Sequence, residues 1–94
     1  MNHLQLTDHA RTRSQQRAIP EVVLESLLSM GKSAHDHRGS CIVYFDHRAK
    51  SRLRHLWGES DYRRYENKLD AYAVVGNDGS VVTVGHRTRR IPRS

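Results

Sequence analysis

Residues Ala71–Val75 and Val81–His86 are two runs of strand-forming side chains separated by Gly76-Asn77-Asp78-Gly79-Ser80. An Asp-Gly step between such runs is a strong short-range signal of an antiparallel hairpin, because both residues tolerate the backbone conformations that reverse a chain. A second hairpin is expected upstream. Lys32 to His37 reads as one strand, Arg38-Gly39-Ser40 as its turn, and Cys41 to Phe45 as a buried strand. Two hairpins make a four-stranded antiparallel sheet, and such a sheet needs a cover on at least one face.

The cover is expected from two helices ahead of the sheet. Pro20 suits a first helical position, and Val23, Leu24, Leu27, Leu28 and Met30 follow at helical spacing until Gly31 ends the run. Upstream, Thr7 can cap a helix from about Asp8 to Gln16, with Asp8 in the turn where the helix dipole favours an acid. That helix is poor in apolar residues, so Leu4, Leu6, Ala10 and arginine stems must pack it.

Residues from about Asp46 to Asp70 are polar and strongly charged. Arg48 to Trp57 fits a helix with Leu53, Leu56 and Trp57 inward, and Ser60 could cap another through Lys68. Arg52 to Trp57 alternates well enough to fit a strand too. The predicted fold is α+β: two N-terminal helices packed on a four-stranded antiparallel sheet, with an extra, mainly helical segment in the middle. Residues 1–94 form one domain, with a basic tail from about Arg87.

Only 36% of the 94 residues are hydrophobic, which limits the core to one sheet and its helices. Sixteen Lys and Arg against ten Asp and Glu leave a net charge of +6, which favours an anionic partner: nucleic acid, an acidic protein or an anionic surface. The single cysteine, Cys41, excludes an internal disulfide and reads as a small buried apolar residue. No apolar stretch approaches the roughly 20 residues of a membrane span, and the N-terminus lacks a signal-peptide pattern. The chain is therefore expected to be cytoplasmic, without a membrane partner.

Four constellations could carry chemistry. His9, Arg13 and Arg17 recur every four residues, so they share one face of the first helix. Such a face is either a solvated basic surface or a phosphate cradle with a titratable group beside it. At the end of the last strand, Thr83, Gly85 and Arg87 share one face, with Val82, Val84 and His86 on the other. The direction of His86 is left open by fraying. Gly85 would let a ligand's backbone approach closely, unless this is only an edge strand blunted by charge. Together the two groups supply imidazoles, guanidiniums and a hydroxyl, the set that metal-independent RNA cleavage requires.

His35-x-His37, with His47 or Cys41, could bind zinc, but no paired cysteines or His-Glu-x-x-His motif accompany it, so neither metal nor cofactor is expected. Tyr62, Arg63 and Arg64, beside Trp57 and Tyr65, could stack on unpaired bases, or else Trp57 and Tyr65 belong to the core.

The string His9-Ala10-x-x-Arg13-x-x-x-Arg17-x-Ile19-Pro20-Glu21 resembles the opening of the bacterial domain-of-unknown-function 4258 family, and the hairpin Ala71 to His86 resembles its end. The resemblance covers about the first thirty residues and the last twenty. That family is similar to a wider group of ribonuclease folds: barnase, EndoU, colicin nucleases and RelE-type toxins. The resemblance implies a site between the first helix and the sheet, with His9, Arg13 and Arg17 as its helix half and Thr83, His86 and Arg87 as its sheet half. It further implies a small metal-independent endoribonuclease, the toxin of a toxin–antitoxin pair. His9 and His86 would share acid–base work, assisted by Arg13, Arg17 and Thr83. Arg11, Arg87, Arg89 and Arg90, with Tyr62, Arg63 and Arg64, would hold RNA, at the ribosome or elsewhere, and an acidic antitoxin would cover the cleft. The alternative is a non-catalytic module that uses the same basic face to bind nucleic acid or an acidic protein, as a phage or mobile-element inhibitor would.

Overall fold

The computed structural model describes residues 5–35 and 39–87. Leu4, His37, Arg38, Arg89 and Arg90 therefore lie outside the described residues. The order is α1 (Asp8–Gln16), α2 (Glu21–Met30), β1 (Lys32–His35), β2 (Cys41–Tyr44), α3 (His47–Trp57), α4 (Glu59–Tyr65), a 3₁₀ turn (Glu66–Lys68), β3 (Ala71–Val75) and β4 (Val81–His86). The strands form one antiparallel sheet in the order β1-β2-β3-β4. This is the expected α+β architecture.

Local chemistry sets the helix ends. The Thr7 hydroxyl accepts from the Ala10 N–H at 3.2 Å and donates to the Val82 carbonyl at 3.1 Å, so the cap also fastens α1 to β4. Gln5 and Thr7 exchange backbone hydrogen bonds with Val81, and Leu6 makes a parallel bridge there. This short segment lies along the outer edge of β4 and covers ladder groups that would otherwise be open to another chain. At the other end of α1, Ile19 N–H reaches Ser14 O at 2.9 Å and Ala18 N–H reaches Gln15 O at 3.2 Å. Those bonds form a Schellman motif, with Ala18 at φ 52° where glycine is usual.

Pro20 stands one residue earlier than expected, as the N-cap of α2. Gly31 does end α2, but in an extended conformation (φ −68°, ψ 158°). It is needed for space: a Cβ there would come within 2.5 Å of Leu27 O, 2.7 Å of Val43 Cγ1 and 3.0 Å of Tyr44 O.

The middle segment is helical, and the strand alternative is excluded. Asp46 caps α3 by accepting from Ala49 N–H at 2.8 Å. Gly58 (φ 84°) then turns the chain into α4. Ser60 lies inside α4 and is not its cap. Leu53 is buried and Trp57 half-buried, whereas Leu56 is 70% exposed, against the expectation that it faces inward.

Cα partners in adjacent strands put their side chains on the same face of the sheet. Val43, Ala73 and Val84 form one such row and are buried with Ala10 of α1 and Val23, Leu24 and Leu27 of α2. Small residues at Ala71 and Ala73 let α2 approach the sheet closely. Ala49, Leu53 and Tyr62 of α3 and α4 join the same core. Each fully buried large side chain there contributes about 1.5–3 kcal/mol. The opposite row, Lys32, Tyr44, Tyr72 and Gly85, faces away from α1 and α2, as do Ala34, Ile42, Val74 and Thr83.

Candidate nucleic-acid interface

The basic residues of α1 present an accessible surface. Ala10 is fully buried and seats the helix on the sheet. Arg13 is half-buried on the flank of that contact, while His9, Arg11 and Arg17 are exposed. Eight residues separate His9 from Arg17, about 12 Å along the helix axis. The face is therefore a basic strip along the helix.

His86 meets α1 at the Arg17 end of this strip. Its Nε2 lies 3.0 Å from the Arg17 carbonyl oxygen and its Nδ1 lies 2.7 Å from Asp70 Oδ1. Both partners are acceptors, so the doubly protonated ring satisfies both, while either neutral tautomer satisfies one. The contact caps a carbonyl that the helix end leaves without an intrahelical partner. His86 thus ties α1, β4 and the segment before β3 together.

Thr83 and Arg87 lie on the other face of the sheet. The parity expected for Thr83, Gly85 and Arg87 holds, and so does that of Val84 and His86. A bulge pairs Val74 with Thr83 and Val75 with Val81, leaving Val82 out of register. The consequence corrects the expectation of one shared cleft. His9, Arg13, Arg17 and His86 belong to the helix side, and the sheet separates them from Thr83 and Arg87. His86 also stands about 12 Å along α1 from His9, and both of its ring nitrogens are already engaged.

On the face away from α1 and α2, Arg87 reaches across β3 and covers Tyr44, which is only 6% exposed. Its Cζ stands 5.1 Å from the centroid of the Tyr44 ring, a cation–π contact, and its Nη1 donates to the Phe45 carbonyl at 3.4 Å. Its Nε is buried and has no hydrogen-bond partner among the described residues. Lys32 is exposed across the strand from Tyr44. The surface there accordingly gains exposed Lys32 and half-buried Tyr72, which the sequence reading did not single out, whereas Tyr44, buried beneath Arg87, cannot stack on a base. The signal for Tyr72 was its period-two placement, with Val74, between the small residues of β3. Gly85 does not leave room for a ligand, because Tyr72 fills the space. A Cβ at Gly85 would meet Tyr72 Cε1 at 3.0 Å and its hydroxyl at 3.1 Å.

The middle segment contributes less than expected. Tyr62 is buried beneath Arg54, whose Cζ lies 5.6 Å from its ring centroid, so it cannot stack on a base. Trp57 and Tyr65 pack edge to face at 5.7 Å as part of the core margin. Arg63 and Arg64 are exposed, with Arg63 Nε 3.5 Å from Glu59. Arg54 holds Glu59 in a bidentate pair, with Nε–Oε1 at 2.7 Å and Nη2–Oε2 at 2.6 Å, which holds the Glu59 carboxyl below its ordinary range. His35 is exposed opposite Cys41. Among the described residues, no three His, Cys, Asp or Glu side chains are gathered as metal ligands. No helix there is long and apolar enough to cross a membrane.

No protein-family model matches this chain, and no curated protein or solved structure matches it.

Proposed function

We propose that the protein is a non-catalytic RNA-binding module that grips the phosphate backbone with arginines on both sides of its sheet. One observation carries this reading: the polar groups that could have formed an acid–base pair are divided. His86 is bonded on both ring nitrogens on the helix side, while Thr83 and Arg87 lie on the other face. What remains is positive charge at fixed positions, which suits binding. The +6 charge favours a polyanion, and the exposed His9, Arg11 and Arg17 of the α1 strip, with exposed Lys32 on the far face of the sheet, suit the phosphates of a nucleic acid. The test is anisotropy of labelled single-stranded RNA across a salt series, with RNA integrity followed in EDTA. Salt-sensitive binding with intact RNA is expected. Cleavage overturns the non-catalytic reading, and absence of binding removes RNA as the ligand.

A second reading, a metal-independent endoribonuclease of the toxin kind, is favoured by Tyr72, Thr83 and Arg87 sharing one face. The Arg87 cation there suits the charge that builds on a phosphate under 2′-hydroxyl attack, and Thr83 and Tyr72 supply hydroxyls on the same face. In this reading an acidic antitoxin segment covers the basic surface. It predicts RNA cleavage in EDTA, and growth arrest on expression, that Thr83→Val and Arg87→Ala each abolish.

A further inference from the structure

The end of α2 and the outward side of α3 bound a separate open groove. It has a volume of about 570 Å³ and is lined by Met30, Arg48, Ser51, Arg52, His55 and Leu56. Two properties set it apart from the α1 strip. It contains apolar surface: Leu56 is 70% exposed and Met30 half-buried. Its ionisable lining residues are all basic: α3 contains no acidic residue, and its Arg48, Arg52 and His55 fall at i, i+4 and i+7 along one helix side. Among the described residues neither Arg48 nor Arg52 has an ion-pair partner, whereas Arg54, on another side of α3, is held by Glu59.

Exposed leucine beside a row of unpaired guanidiniums matches a particular ligand chemistry. A phosphate backbone would use the arginines and leave Leu56 in water. An acidic amphipathic helix would use both: its apolar stripe covers Leu56 and Met30, and its flanking carboxylates meet Arg48, Arg52 and His55. We infer that the α2–α3 groove is a docking site for an acidic amphipathic helix of a partner protein. This surface is distinct from the α1 strip and from the sheet face that holds Arg87, and the inference does not depend on RNA binding there.

The test uses the whole chain and a labelled synthetic helix of about 14 residues, long enough to run the length of α3, with leucine on one stripe and glutamate elsewhere. Polyglutamate of equal length and single-stranded RNA are the comparison probes. The amphipathic helix should bind at least about tenfold more tightly than polyglutamate. Leu56→Ser, and Arg48→Glu combined with Arg52→Glu, should each weaken it about tenfold or more. Arg13→Ala should leave it within about twofold. Arg48, Arg52 and Leu56 are exposed and Arg13 is half-buried, and unchanged melting temperatures verify the fold of each variant. Equal binding of polyglutamate overturns the inference, as does no binding of the helix or indifference to Leu56→Ser. RNA that displaces the helix and itself depends on Arg48 and Arg52 would reassign the groove to nucleic acid.

Discussion

His86 and Asp70 lie 2.7 Å apart, Nδ1 to Oδ1, while the opposite nitrogen of the same ring reaches the Arg17 carbonyl. The histidine side chain is 24% exposed and the carboxylate 50%. An imidazole held on both sides is a tie between elements. His86→Ala should therefore lower stability by about 1–2 kcal/mol, the hydrogen-bond scale discounted for exposure. A double-mutant cycle with Asp70→Asn should show favourable coupling in urea melts. Additive effects would remove the tie.

Arg87 should matter to RNA and Arg54 should not. Arg87→Ala is expected to weaken RNA binding and to reduce the slope of log affinity against log salt by about one. Arg87→Lys should restore the slope without the full affinity, since an ammonium lacks the planar contact with Tyr44. Arg54→Ala, which loses only the pair with Glu59 and the stack on Tyr62, should leave the slope unchanged.

Two glycines are required by neighbouring atoms. Gly31→Ala sets a methyl against two backbone oxygens and Val43, none of which can swing aside, and should cost about 1–3 kcal/mol or more. Gly85→Ala meets the Tyr72 ring instead. It should cost less, and Tyr72→Val should relieve part of that cost. Thermal melts of the three variants and the double variant test the contrast.

Ala18 sits at φ 52°, in the left-handed region that costs an L side chain about 1–2 kcal/mol. Ala18→Gly removes that strain but adds freedom to the unfolded chain, so a net gain of up to about 1 kcal/mol is expected. Ala18→Val should destabilise. Equal melting temperatures for all three chains would contradict the assignment.

The Arg54–Glu59 pair has a definite sign with pH. Arg54 holds the Glu59 carboxyl below 4.5, chiefly by hydrogen bonding. Its contribution is therefore fully present above that value and is lost as pH falls through the lower, folded-state value. The pair is exposed, so salt should shrink it as well. Stability of Glu59→Gln relative to the native chain, measured from pH 7 to strongly acidic pH, should show the difference vanishing only at the acid end.

Much of the fold was legible in the chain because its signals are local. Thr7 and Asp8 mark the start of α1, the leucine spacing marks α2, and Asp78-Gly79 marks the last hairpin. The middle segment was ambiguous because Arg52 to Trp57 satisfies two periods at once. Asp46 and Gly58, which cap and end α3, settle it. Leu56 was misread for a related reason. Helical spacing shows which residues share a face, but neighbouring elements decide which faces are covered.

The candidate site shows the same division. Sequence alone determined that His9, Arg13 and Arg17 follow one helix side, that Thr83 and Arg87 share a strand face while the direction of His86 stays open, and that the chain is basic. Those are consequences of helical and strand periods and of composition. Only the tertiary structure decided that the sheet stands between the two groups, that Asp70 and Arg17 occupy His86, that Tyr72 fills the space over Gly85, and that Arg87 lies on Tyr44. Each depends on which face of the sheet α1 and α2 cover, a choice set by packing small residues such as Ala71 and Ala73 against helices distant in sequence.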